Sequence, residues 1–293
     1  MSLTIQSPYD STDDCRLRGN LHAHTLNSDG KVSPEMLVEV YRRKGYDWIC
    51  ISDHDRLTPK PETFPEDMTF LPGNEITAGG PHILHVGADA VVPPEPDREA
   101  VLRTVSEKQG LAVLNHPNWG KDFNHCPQDR LERLAVHAHG IEVYNADIRG
   151  CEGSPLATDR WDLLLTRGIR VWGYANDDAH VETDMGLAWN MVSGPNNEVS
   201  SILDGLKNGK FYASTGVVLS TLKTSGNRIR IVSGNGSVCV VITDWGTEIG
   251  RYYGRSWEFN LEDLLKETKA TYCRFEILGD AGATAWTQPL FLF

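Results

Sequence analysis

Short apolar runs recur along the first two thirds of the chain, and most of them run straight into histidine, aspartate, glutamate or asparagine. That recurrence constrains the fold more than any other feature. Residues 17–21 lead into His22-Ala23-His24, residues 48–51 into Ser52-Asp53-His54-Asp55, and residues 68–71 into Pro72-Gly73-Asn74-Glu75. Residues 111–115 lead into His116-Pro117, 141–144 into Asn145, and 169–175 into Asn176-Asp177-Asp178-Ala179-His180. Residues 83–86 form one more run, entered from His82 rather than ended by it. Stretches of helical pattern lie between them at 34–44, 97–109, 127–137, 155–167 and 198–208, each closed at or near a glycine. Strand and helix thus alternate about seven times, which predicts a parallel sheet closed into a barrel. In such barrels the chemistry sits at the carboxyl ends of the strands, where these polar residues fall.

The first run carries the sharpest signal. Residues i and i+2 of a strand face the same way, so His22 and His24 converge, and Asp29 follows five residues later. Neutral imidazoles and a carboxylate make a ligand set for Zn, Fe or Mn. The alternative is a pair of strand histidines beside an ordinary Asp29-Gly30 turn. The helix that follows is well marked: Ser33 as N-cap, Pro34 at its first position, Met36, Leu37, Val40 and Tyr41 as a core stripe, and Gly45 as its stop.

With 28 Lys and Arg against 40 Asp and Glu, the 293-residue chain carries a net charge of −12. This argues against a broad nucleic-acid-binding face. The six cysteines are scattered with no C-x-x-C pair, as expected of free thiols in a reducing compartment. No leader or spanning stretch is evident, so a cytoplasmic protein is expected. No phosphate loop of Walker type, G-x-S-x-G turn or H-E-x-x-H helix is present. Residues 1–15 read as a polar, irregular extension, 16–216 as the barrel, and 217–293 as a small β-rich domain without histidine.

The ordered set His22-x-His24-x4-Asp29-Gly30, Ser52-Asp53-His54-Asp55, Pro72-Gly73-x-Glu75, Gly79-Gly80-Pro81-His82, His116-Pro117 and Asp178-x-His180 resembles the polymerase and histidinol phosphatase (PHP) family over residues 16–216. Glu142-Val143-Tyr144-Asn145, Trp161-Asp162-Leu163-Leu164 and Gly209-Lys210-Phe211-Tyr212 add likeness to its metal-dependent phosphoesterase and carbaryl-hydrolase-like branch. The resemblance implies an α/β fold, a distorted TIM-like (β/α)7 barrel of PHP type with a small C-terminal β-rich domain. It implies up to three divalent metal ions, Mn, Fe or Zn. His22, His24 and Asp178 would hold one, Glu75 would bridge to a second on His82 and His116, and Asp29, His54 and His180 would hold the third. Glu75, His54 and Asp53 are the expected catalytic residues.

The implied activity is hydrolysis of a phosphate ester by a metal-activated hydroxide at a di- or trinuclear centre. A small phosphate ester or nucleotide is the expected substrate, with no stable nucleic-acid complex and no membrane partner. The same ligands suit hydrolysis of a carboxylic ester, carbamate or amide, and a non-enzymatic PHP-like module is a third reading. Several positions admit alternatives. His82 is preferred to His85, and Asp178 to Asp177. Asp53 and Asp55 would orient ligand imidazoles, with Asp53 also a possible proton source. His137-x-His139 reads as structural and His125 as a surface or at most substrate-facing residue. Arg149 and Lys121 follow strand ends, where a cation could assist.

Overall fold

The computed structural model describes residues 3–10 and 15–293; residues 1–2 and 11–14 of the polar N-terminal stretch lie outside the described residues. The local signals around the first helix, α1 (Pro34–Arg43), are realised. The Ser33 side chain accepts from the Met36 amide at the N-terminus, and Gly45 takes φ +76° just past the C-terminus. Leu37, Val38, Val40 and Tyr41 are buried, but Met36 is 38% exposed and stands outside the stripe expected of it.

The strands in chain order are β1 (Ile5–Gln6), β2 (Cys15–Asn20), β3 (Trp48–Ile51), β4 (Thr69–Ile76), β5 (Ile83–Val86), β6 (Leu111–Leu114), β7 (Gly140–Asn145) and β8 (Trp172–Asn176). Helices α2 (Arg98–Glu107), α3 (Gln128–Ala135) and α4 (Thr158–Thr166) precede β6, β7 and β8. Then come β9 (Trp189–Gly194), α5 (Val199–Lys207) and β10 (Phe211–Ser214). Strands β2-β3-β4-β5-β6-β7-β8 are consecutive neighbours in one curled mixed sheet. Their pairs are parallel except at β5, which runs antiparallel to both β4 and β6. The alternation of seven strand–helix units expected from the sequence therefore breaks here. Only residues 77–82 separate β4 from β5, too few for a crossover helix, so the chain turns back as a hairpin.

Two further departures are local. The strand that the apolar run 68–71 marks extends past it, so that Pro72 and Gly73 lie inside β4. The glycine is needed for close approach, since a Cβ there would come within 2.5 Å of Cys50 Sγ and 2.8 Å of the His85 carbonyl oxygen. Residues 5–6, expected to be irregular, pair with the last strand of the chain.

The core under the curled sheet is formed by Leu21, Trp48, Cys50, Leu71, Leu84, Val113 and Tyr174, with Ile202 and Leu206 of α5 packed into the same cluster. Alternate strand residues Ile49 and Ile51 face outward onto α1. Among the described residues, no strand pairs with the outer edge of β8. The Asn190 amide accepts from the Ala175 N–H and donates to its carbonyl at 3.1 and 3.0 Å. The Gln288 amide does the same for Gly173, both at 2.8 Å. Two side-chain amides thereby replace a strand's ladder.

Beyond β10 the chain continues as β11 (Leu219–Ser225), β12 (Arg228–Ser233), β13 (Gly236–Thr243), β14 (Thr247–Tyr253), β15 (Ser256–Asn260), α6 (Leu261–Leu265), β16 (Tyr272–Gly279), β17 (Thr284–Thr287) and β18 (Leu290–Leu292). β17 pairs with β10 and β9 with β2, so the large sheet runs from the barrel into the C-terminal strands, while β11, β12 and β15 form a separate three-stranded sheet.

Candidate metal centre

The carboxyl ends of the parallel strands and the loops after them, with the amino end of the reversed β5, bring all nine expected ligands to one mouth, around Glu75. Glu75 Oε1 lies 3.1 Å from His82 Nδ1 and 3.3 Å from both His22 Nε2 and His116 Nε2. Its Oε2 is 3.0 Å from His54 Nδ1 and 3.6 Å from His24 Nε2. Asp178 Oδ1 sits 3.0 Å from His24 Nε2 and 3.1 Å from His22 Nε2. Asp29 Oδ2 is 3.3 Å from His54 Nε2 and 3.4 Å from His180 Nε2. Potential ligand atoms within 4.8 Å of one another form the groups His22–His24–Asp178, His22–Glu75–His116, His24–Asp29–His54–His180 and His82–His116–His125.

Whether these residues suit cations is decided by the polar atoms left over. Among the described residues, His22 Nε2, His24 Nε2, His54 Nδ1 and Asp178 Oδ1 are buried and make no hydrogen bond, close as the carboxylates and imidazoles lie. Buried polar atoms ordinarily have partners, and leaving several unpaired side by side is costly. Divalent cations would satisfy all of them at once, and imidazole with carboxylate is the donor set such ions take. Burial by itself pushes the Glu75 and Asp178 carboxyls up. The surrounding imidazoles, His22 foremost for each, outweigh it and hold both well below the usual carboxylate range. Two candidate ligands also hold left-handed backbone, His116 at φ +27° and Asp178 at φ +53°. Such conformations are uncommon for non-glycine residues and concentrate at functional sites. A cavity of about 150 Å³ opens over the cluster, walled additionally by Trp119, Asp147 and Ile148.

Behind the ligands lies a layer the sequence reading largely missed. Glu142, 1% exposed, accepts from His22 Nδ1 at 2.8 Å, the His116 amide at 2.9 Å, Asn145 Nδ2 at 2.8 Å and Asn176 Nδ2 at 2.9 Å. Asn145 Nδ2 also reaches Asp178 Oδ2 at 3.1 Å, and Asn115 Nδ2 donates to Glu75 Oε1 at 2.6 Å. The alternation of β7 was the available signal, because it turns Glu142 inward with its polar tip under the histidines. Arg98, 1% exposed, donates to the carbonyls of Thr77, Ala78, Gly80, Pro81 and Glu95 and so ties down the hairpin that carries His82.

Several expected roles need correction. Asp53 touches no imidazole: it accepts from Thr25 N–H, Thr25 Oγ1 and Ser28 Oγ at 2.7 Å each, and from Thr58 Oγ1. Burial pushes its carboxyl up, but these hydroxyl and amide donors prevail and hold it low, which suits an anchor for the 24–29 loop and not a proton donor. Asp55 binds Thr77 and the Ala78 amide instead of an imidazole. Asp177 turns away from the cluster to Tyr41 and the amides of residues 186–188, leaving Asp178 beside the histidines.

The histidines outside the ligand set sort by neighbour. His85 packs on the opposite face of β5, where its Nε2 would lie 2.4 Å from a Cβ on Gly110. His139 Nδ1 accepts from the Ala112 amide at 3.1 Å, away from the site. His125, expected at the surface or at most facing substrate, is folded back so that its ring lies 4.6 Å from His82 and 4.8 Å from His116. Its Nε2 faces the His82 backbone N–H at 3.1 Å. An amide can only donate, so this Nε2 is unprotonated and the proton of the neutral ring sits on Nδ1. Lys121 lies within 3.6 Å of Glu152 on the surface.

No family model matches the chain. Over 145 residues it is 25% identical to an uncharacterized protein of Methanocaldococcus jannaschii, covering 44% of this chain and 82% of that protein. It is similar to the crystal structure of a two-domain protein containing a predicted PHP-like metal-dependent phosphoesterase from Bacteroides vulgatus. That match has a TM-score of 0.56 and 17% identity and covers 94% of each chain. It is also similar to Endonuclease Q in complex with a 27-mer duplex substrate bearing an abasic lesion, with a TM-score of 0.50 and 11% identity over 66% of this chain and 57% of that one. At these identities the likeness is one of fold.

Proposed function

We propose that this chain, PHP-like in fold, is a metal-dependent phosphoesterase. The observation that supports it best is the convergence around Glu75 and Asp178 of buried ring nitrogens and one carboxylate oxygen, Asp178 Oδ1, that make no hydrogen bond among the described residues. Residues 16–216 would carry the chemistry in the manner of a distorted (β/α)7 barrel, with 217–293 as a β-rich adjunct. His22, His24 and Asp178 would hold one cation, His82 and His116 a second, and Asp29, His54 and His180 a third, with Glu75 between the first two. When bound, adjacent divalent cations lower the pKa of water and offset charge on phosphoryl oxygens.

The protein's own part is positioning. Glu75 places one oxygen near His22, His82 and His116 and the other near His24 and His54, so a single carboxylate would be within reach of more than one cation. His54 lies between Glu75 and Asp29 and ties the third group to them. Glu142 holds His22 with Nε2 facing the cluster. The mouth admits substrate past Trp119 and Ile148 into a cavity of about 150 Å³, a size that suits a phosphoryl group. A net charge of −12 favours a small ester over a long nucleic acid.

The test is elemental analysis of the pure protein, followed by a hydrolysis screen of phosphomonoesters, phosphodiesters, nucleotides, and carboxylic esters, carbamates and amides. Bound divalent metal with turnover of phosphate esters is expected. Turnover of carbonyl substrates alone would replace the phosphoester assignment, and a protein that binds no divalent metal on titration would end it.

A further inference from the structure

A larger cavity, about 510 Å³, lies beside the metal cleft, walled by Tyr144, Arg149, Leu156 and Leu187 and by Thr284 and Trp286 of β17. The strand register places it at the same end of the sheet. Gly19, three residues before His22, pairs with Asn190; the neighbouring Trp189 pairs with Ser214, and Ser214 pairs with Ala285. Two segments divide the cavities. In the turn Asp147–Gly150, Asp147 and Ile148 line the metal cleft while Arg149 lines the larger cavity. In the loop after β8, Asp178 and His180 line the first, and Gly186 and Leu187 the second. Consecutive residues of this single 3₁₀ turn face different cavities, Ile148 the first and Arg149 the second, so the two open next to each other.

The chemistry of the second cavity differs from that of the first. Its floor is aromatic: Trp286, 3% exposed, stacks on Tyr144 with ring centroids 5.9 Å apart and planes at 25°. Arg149 is exposed, and among the described residues its guanidinium makes no ion pair and no hydrogen bond. Of the carboxylates at this cavity, Glu276 is already paired with Arg274 at 2.6 Å, and Asp280 stands on an exposed turn. A bare phosphate has no use for a space of this size, which falls in the range of whole ligands.

We infer that the second cavity receives the alcohol half of the substrate, a flat ring bearing an anionic group. The ring lies against Tyr144 and Trp286 and the anion meets Arg149, while the phosphoryl group occupies the metal cleft. The inference rests on the phosphoesterase reading for the identity of the other half. It also gives the C-terminal strands a task, since they supply Trp286 and Thr284 while contributing no candidate metal ligand.

The experiment compares ethyl, benzyl and 4-carboxybenzyl phosphate, whose leaving groups are all simple alkoxides, so that differences report binding. The expected kcat/KM rises from ethyl to benzyl and about tenfold more for the carboxylate, the scale of one charge-assisted contact. Arg149→Ala should collapse the carboxybenzyl-to-benzyl ratio towards unity. Leu156→Trp, introduced from an exposed position, should collapse the benzyl-to-ethyl ratio. In parallel, 4-carboxybenzyl alcohol is titrated calorimetrically into the full chain as purified; it should bind the wild type and bind Arg149→Ala about tenfold more weakly. Equal kcat/KM for all three esters with no alcohol binding overturns the inference. Alcohol binding that depends on Arg149, without hydrolysis of any ester, keeps the pocket and overturns the phosphoesterase reading instead.

Discussion

His22 donates its Nδ1–H to Glu142 Oε1 at 2.8 Å, which turns Nε2 towards Glu75 and Asp178. The same carboxylate accepts three further donors, so its acceptor capacity is full. Glu142→Gln would place an NH₂ where only acceptors fit and free the ring of His22 to turn. Loss of such a partner typically weakens metal affinity 10- to 100-fold. Competition with a chromogenic chelator should show a drop of about that size, and unchanged affinity would remove Glu142 from this role.

Glu75 and Asp29 separate the roles of the two carboxylates. Glu75 is within reach of five imidazoles, whereas Asp29 meets His24, His54 and His180 at the exposed side of the cluster. Glu75→Gln should lose at least one equivalent of metal and nearly all turnover while circular dichroism stays native. Asp29→Asn should disturb one site and keep measurable metal. A folded Glu75→Gln protein with full metal content and normal turnover would sink the bridging role.

Arg98 offers a test of the hairpin. Its guanidinium serves five backbone carbonyls and, among the described residues, hydrogen-bonds no carboxylate. Arg98→Met keeps the apolar stem and removes every donor, at a cost of about 3 kcal/mol or more in chemical denaturation. Because His82 ends this loop, metal held through His82 and His116 should fall first, with Arg98→Lys intermediate. Wild-type stability and metal content in Arg98→Met would contradict the clamp.

His85 predicts a pH dependence of stability. Burial pushes its pKa down to about 4, against about 6.5 in an unfolded chain. Between those values the unfolded state binds the proton that the folded state refuses. Stability is therefore full above pH 6.5 and declines as pH falls towards 4. His85→Leu removes both the titration and two buried ring nitrogens that have no partner. Denaturant midpoints across pH 4–7 should then fall less steeply on the acid side, and an identical slope in both proteins would refute the assignment.

Much of this architecture could be read from residues alone, for identifiable reasons. Ser33-Pro34 and Gly45 bracket α1 through local hydrogen bonding and backbone preference, which neighbours in space do not alter. The strands ending at His22, His54 and His116 were legible because apolar runs of strand length stop at polar residues. The reversal of β5 was not, since Ile83–Val86 is buried on both faces and carries no mark of direction. β9 escaped because Trp189-Asn190-Met191-Val192 shows no strict alternation, and Asn190 is spent on closing the barrel. His125 could not be fixed between surface and site because its position depends on how residues 117–126 fold back over His82, a tertiary contact with no sequence period.

The amide seam along β8 bears on how the molecule comes apart. Gly173 is held by Gln288, a residue close to the far end of the chain, and Ala175 by Asn190. The barrel's last edge is therefore completed by a residue added long after the barrel's own strands. Melting of the C-terminal strands would bare the Gly173 amide and carbonyl and loosen the strand that presents Asp178. Unfolding should accordingly be cooperative across the whole chain. A single calorimetric transition with equal van't Hoff and calorimetric enthalpies is expected, and Gln288→Ala should lower the melting temperature of both segments together. Two separate transitions would show that the seam is ornament rather than coupling.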